Sequence, residues 1–156
     1  MIFRQLIVLG IVLILTVAFN GCAMFSKEVK LEDVPSAAQA VIQSHTSGGS
    51  IEKITCEKED GEHFYKVEYI KDGREFELEV DENGNVMETE EILSMKDLPP
   101  AVQATVNAET QGGKIKELAH ETEDGKTFYE VEFEKDGKEH EVKIAEDGTV
   151  LERETE

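Results

Sequence analysis

The sequence has no tryptophan, three prolines, two cysteines and only 6% aromatic residues. Two cysteines exclude a scaffold held together by many disulfides. Basic residues are also scarce: 16 Lys+Arg stand against 35 Asp+Glu, a formal net charge of −19. Nucleic acid and anionic lipid repel such a surface, which argues against either as the main partner. The apolar fraction, glycine not counted, is 39%. No Gly-rich phosphate loop, nucleophile elbow or His-Glu zinc motif is present. Nothing in the pattern assembles a nucleophile, a base or a metal, so an enzyme is not expected, nor a cofactor or small-molecule substrate. At 156 residues, the chain suits one domain or two small ones.

The N-terminus is read separately from the fold. Arg4 is followed by an apolar run from Leu6 to Phe19, 14 residues, short of the roughly 20 that a spanning helix needs. Asn20-Gly21-Cys22 follows. This resembles a bacterial lipoprotein signal peptide over residues 1–21, with Cys22 lipidated and made the new N-terminus. Phe19 stands where that motif usually has Leu, and an ordinary cleaved export signal or an uncleaved anchor are the other readings. All three place the rest of the chain outside the cytoplasm. Loss of residues 1–21 removes Arg4 and no acid, so the mature charge is 15 − 35 = −20. A lipid on Cys22 offsets repulsion from an anionic membrane surface, each buried CH₂ contributing about 0.8 kcal/mol. Residues 22–30 are then a lipidated cysteine and a short tether. By resemblance to the sorting rule, Ala23 after the cysteine favours the periplasmic side of the outer membrane in a Gram-negative host, and the cell surface otherwise.

Beyond the tether the chain repeats itself. Residues 31–92 align with 95–156 without a gap, and 27 of the 62 positions are identical. Such a match marks a duplication. Each copy, 31–92 and 93–156, reads as one helix followed by four strands. Val34, Ala37, Ala38, Val41 and Ile42 recur at helical spacing, as do Leu98, Ala101, Val102, Thr105 and Val106. Pro35 and Pro99 suit the first helical position, and Gly48-Gly49 and Gly112-Gly113 suit the ends.

Strands are expected at about 51–59, 62–71, 74–80 and 86–91, and again 64 residues later. Asp60-Gly61, Asp72-Gly73 and Asn83-Gly84 separate them, then Asp124-Gly125, Asp136-Gly137 and Asp147-Gly148. Such pairs between alternating runs are strong hairpin signals. Alternation places Tyr65, Val67, Tyr69, Phe76, Leu78 and Val80 under the helix, with Tyr129, Val131, Phe133, Val142 and Ile144 as their counterparts. The first strand of each copy alternates poorly and its facing stays open. The expected fold is α+β: two tandem units, each one helix on a four-stranded antiparallel meander. The short connection makes them neighbours, with Ile92, Leu93 and Met95 placed between them and joined edge strands one arrangement open to them.

These residues carry a family resemblance. Pro99, Ala101, Gly113, Ile115, Asp124, Gly125, Tyr129, Val131, Glu132, Asp136, Gly137, Gly148 and Val150, with counterparts 64 earlier, are similar to the PepSY-like group. That group is described as like the β-lactamase-inhibitor protein (BLIP). The resemblance covers 31–156 and implies an extracytoplasmic module that binds or inhibits another envelope protein, rather than an enzyme. The inhibitor is disulfide-bonded within its units, and here Cys56 is the only cysteine of residues 31–156. Most of the shared residues are turn, cap and core, so they mark a fold better than a function.

The expected partner surface is the sheet face opposite the helices. Phe64, Lys66, Glu68 and Ile70 lie there in one copy, and Phe128, Glu130, Glu132 and Glu134 in the other. Aromatics among charges are typical interface anchors. The partner is expected to be an envelope protein with a basic surface, held in a salt-sensitive way. The alternative is an acidic lipoprotein that collects Ca²⁺ without a specific protein partner. Cys56 and His63 form half a zinc set at most, and Thr127 replaces His63 in the second copy, so ordinary strand residues are the reading. Asp81 to Asn85 resembles a calcium loop, but Val86 stands where an EF-hand needs glycine, which favours a hairpin turn.

Overall fold

The computed structural model describes residues 25–59, 61–123 and 125–155. Nine antiparallel strands follow in chain order: β1 (Phe25–Glu28), β2 (Ser50–Glu59), β3 (Glu62–Lys71), β4 (Arg74–Asp81), β5 (Val86–Ile92), β6 (Lys114–Glu123), β7 (Lys126–Lys135), β8 (Lys138–Ile144) and β9 (Val150–Thr155). Helix α1 (Ser36–His45) precedes β2 and α2 (Pro100–Thr110) precedes β6. All nine strands belong to one sheet, and every strand pairs with its neighbour in sequence.

This overturns the expectation of two units, each a helix on its own four-stranded meander. The described residues are mostly β, one continuous sheet carrying two helices. Its join is the pairing of β5 with β6, from Glu88 opposite Glu123 to Ile92 opposite Ala119. Two separate meanders would each leave a strand edge unpaired there, with its backbone donors and acceptors open to any other chain. The join satisfies both. Leu93 extends it, donating its N–H to the Leu118 carbonyl at 2.8 Å. Residues 22–30 are read from sequence as a tether, and within them Phe25–Glu28 pairs with β2, Lys27 opposite Cys56.

The helices start where proline suits them. Pro35 and Pro99 are the N-caps, one position earlier than their spacing suggests. Gln39 and Gln103 each send a side-chain N–H back to the carbonyl five residues before, Val34 at 2.7 Å and Leu98 at 2.9 Å. Both ends are closed by a threonine hydroxyl donating four residues back, Thr46 to Ile42 and Thr110 to Val106. Both helices pack on one face of the sheet. Ala38 and Ile42 meet Ile54, Tyr65, Val67, Leu78 and Val80 in one apolar cluster. Val102 and Val106 meet Leu118, Val131, Phe133, Val142 and Ile144 in the other. Eight of these side chains, Ile42, Val67, Leu78, Val80, Val102, Val106, Val131 and Ile144, are fully buried; at roughly 1.5–3 kcal/mol each they hold the helices down and leave the second face of the sheet uncovered.

The third hairpin of each copy is pressed against its helix. Gly84 and Gly148 have φ of 83° and 86°, and a Cβ on either would stand 2.9 or 2.8 Å from the carbonyl oxygen of Ala37 or Ala101. Only glycine satisfies both the left-handed turn and the close approach. The ambiguous first strands are resolved by β-bulges, between Ile51 and Lys53 and between Ile115 and Glu117. Each bulge switches the alternation, so Ile51 and Ile54, three apart, both reach the core.

Candidate functional site

The uncovered face is set by strand register, since directly opposed residues point to the same side. Opposite Lys66 on β3 stands Glu79, then Glu88 on β5 and Glu123 on β6. The next row runs from Glu68 to Glu77, Glu90 and Glu121. A third crosses Glu117, Glu132, Glu141 and Glu154 on β6 to β9. Like charges directly opposed are destabilising. Three uninterrupted glutamate rows are therefore an arrangement that folding stability alone does not favour.

Burial and mutual repulsion push these carboxyls upward. Burial, then Glu88 beside it, takes Glu90 to about 10. Burial, then Glu121 and Glu141, takes Glu130 to about 11. Glu121 and Glu132 rise to about 7, burial again leading, with Glu88 acting on the first and Glu117 on the second. Glu117 and Glu141 shift the same way, chiefly through burial. The face therefore holds protons at pH values where an exposed glutamate has lost its own.

Three lysines offset part of this charge, Lys53 pairing with Glu68 at 2.8 Å. Lys66 pairs with Glu77. Lys143, on β8 and with a side chain only 6% exposed, has Glu123 at 3.3 Å, Glu130 at 3.6 Å and Glu121 and Glu141 both at 3.9 Å. Burial alone would discharge it, but these four carboxylates outweigh burial and raise its pKa. Its ammonium also sits 4.7 Å from the centre of the Phe128 ring.

The residues singled out from sequence fall into two separated groups. Phe64, Lys66, Glu68 and Ile70 are on β3, and Phe128, Glu130, Glu132 and Glu134 are on β7. Four strand spacings, about 19 Å, lie between the groups. Phe128, expected as an exposed anchor, is only 6% exposed. Lys143 roofs it, so it is floor. Glu130 is buried as well, Phe64 is half-buried, and Ile70 is the exposed apolar residue of the set at 37%. Glu77, Glu79, Glu88, Glu90, Glu121 and Glu123, which fill the space between, are absent from the sequence-based set. Their signal is the alternation of glutamate along β4 and β5, but it becomes a patch only once β5 is paired with β6.

Other candidates are absorbed by the fold. Asp81 accepts from the N–H groups of Asn83 at 2.9 Å and Asn85 at 2.7 Å, which closes the hairpin as a turn. Cys56 Sγ lies 3.5 Å from His63 Nδ1 on the helix side of the sheet, and among the described residues no third ligand joins them. One group of potential ligands does converge: Glu130, Glu132 and Glu141 each place an oxygen within 4.8 Å of the others. Cys22 lies outside the described residues. Among the described residues no helix is long and apolar enough to cross a membrane.

The helix-backed antiparallel sheet with one open face is an architecture that known proteins share. A family profile described as "Putative beta-lactamase-inhibitor-like, PepSY-like" matches residues 23–88 and again 63–152. The chain belongs to this PepSY-like family. Among solved structures it is similar to a BLIP-like protein from Bacteroides fragilis, with 25% identity over 78% of this chain and 86% of that one and a TM-score of 0.61. A DUF2874 family protein from Bacteroides uniformis is 14% identical over 78% and 89%, TM-score 0.63. A protein from Bacteroides eggerthii, described as one of the "putative periplasmic proteins", is 12% identical over 78% and 88%, TM-score 0.64. No curated protein sequence matches the chain.

Proposed function

We propose that this protein is an extracytoplasmic, membrane-tethered binding module, not an enzyme, and that its open sheet face takes a basic surface of another cell-envelope protein. The observation that carries this reading is the set of opposed glutamate rows crossing β4 to β9. Rows of like charge weaken a sheet in isolation, and a cationic partner turns that cost into affinity. The leader and Cys22 support the location and the lipid tether, and the description of the family as inhibitor-like supports a binding role.

A titration of the purified protein with octalysine tests the face. Binding is expected to weaken steeply with salt and to fall about tenfold, or about 1.4 kcal/mol, when Glu79, Glu88 and Glu123 are all changed to Gln. Salt-insensitive binding, or binding unchanged in the triple variant, would sink the reading. A second reading, collection of Ca²⁺ by the acidic face, is favoured by the convergence of Glu130, Glu132 and Glu141, because Ca²⁺ takes carboxylate oxygens. Titration calorimetry decides it: no heat with millimolar CaCl₂ removes it.

A further inference from the structure

The duplication allows an internal comparison that points to a second site, on the helix side of the sheet and away from the acidic face. In the second copy the end of α2 is tied to β9. Arg153 Nε and Nη2 donate to the two carboxylate oxygens of Glu109 at 2.9 and 2.7 Å. Beside that pair Phe133 and His140 stack, 5.0 Å between centres and 13° between planes. Sixty-four residues earlier the stack is kept, Tyr69 on Phe76 at 5.3 Å and 18°. The ion pair is not: His45 stands for Glu109 and Thr89 for Arg153. A threonine is too short to reach the helix end. There a cavity of about 450 Å³ opens, lined by Ser44, His45, Tyr69, Lys71, Arg74 and Phe76, with Asp72 at the hairpin turn.

Its charge differs from that of the open face. Lys71 Nζ donates to the His45 carbonyl at 3.3 Å, which holds the ammonium at the mouth. Arg74 pairs with Glu91 while remaining 58% exposed. An exposed pair of that kind is weak, and a guanidinium has five donors to share. Two cations and an imidazole thus surround an aromatic floor, with Asp72 as the one acid among the lining residues.

We propose that this cavity binds a carboxylate carried beside an apolar ring or chain. The carboxylate is held between His45, Lys71 and Arg74, and the apolar stem lies on the stacked rings. A small aromatic acid and the C-terminus of a peptide ending in an apolar residue share this chemistry. The site is independent of the acidic face and of whatever binds there.

An NMR titration of the whole protein with phenylacetate and with N-acetyl-phenylalanine tests the proposal and separates the two sources by which binds more tightly. N-acetyl-phenylalanine amide and phenethylamine are the neutral and cationic controls. The acids are expected to shift signals of residues 44–45 and 69–76 and to bind at least tenfold more tightly than either control. The double variant His45→Glu, Thr89→Arg installs the second copy's own ion pair. It should abolish acid binding and leave octalysine binding as it was. Should that variant fail to fold, Arg74→Gln is expected to weaken acid binding at least fivefold. No shift with either acid overturns the site. So does equal binding of a control, or acid binding that survives whichever of these variants folds.

Discussion

Replacing Lys143 by methionine is expected to lower stability by about 3–5 kcal/mol at pH 8, the usual consequence of stripping a buried charge of its partner. Methionine keeps the length and apolar stem, so packing over Phe128 changes little. What is lost is, among the described residues, the one cation within 4 Å of Glu121, Glu123, Glu130 and Glu141. At pH 5 the loss should shrink to about 1 kcal/mol, because protonated carboxyls repel neither one another nor an apolar neighbour. Lys66→Met should cost less, since Lys66 is 19% exposed and faces one close carboxylate, Glu77. Urea unfolding at the two pH values measures both. A Lys143→Met loss that is the same at pH 5 and pH 8 would mean the lysine acts through packing, not charge.

The second large effect is the pH profile of the unaltered protein. Glu121 and Glu132 have folded-state values of about 7, and Glu90 and Glu130 of about 10 and 11, each raised from 4.5. A carboxyl raised on folding means that the folded state binds more protons than the unfolded chain. Stability from these groups is complete below about pH 4.5 and is lost as pH climbs through the folded values. The loss from each group begins near pH 4.5; it is complete by about pH 7 for the first two and continues up to about 10 and 11 for the others. Asp81, Asp97 and Glu109 are shifted the other way. Hydrogen bonds from Asn85, Ser94 and Arg153 outweigh burial at these three, so they lose stability only on acidification below their normal range. The melting temperature should therefore be highest near pH 5 and lower at pH 8.5 by on the order of 10 °C, taking about 3–5 kcal/mol at about 2–4 °C per kcal/mol. A chain of this acidity with ordinary exposed carboxyls would show a nearly flat profile over that range. Calorimetric scans at half-unit intervals tell the two apart.

Much of the local structure is legible in the residues. Asp72-Gly73 and Asp136-Gly137 have positive φ at both positions, as a two-residue hairpin needs. The apolar alternation of β3, β4, β7 and β8 names the core side chains that the helices cover. What the sequence hides is whatever depends on pairing across distance. β1 has no turn signal linking it to β2, and its Lys27 meets Cys56 across a whole helix. The join of β5 to β6 runs through Leu93 to Leu98 and α2, where nothing local announces a shared sheet. Alternation assigns Phe128 to a face but cannot say that Lys143, from the next strand, will cover it. The glutamate rows are hidden for the same reason: each strand carries its own acids, and only register aligns them. Uneven alternation at Ile51 to Ile54 is itself a bulge signal, visible once its meaning is known.

The open sheet face, not the helix side, is proposed to meet the partner. A photo-reactive benzoylphenylalanine in place of Ile70, on the open face, or of Val41, on α1, tests it in living cells. Cross-links to another envelope protein are expected from position 70, diminishing as salt is raised, and none from position 41. Cross-links from 41 with none from 70 would contradict it.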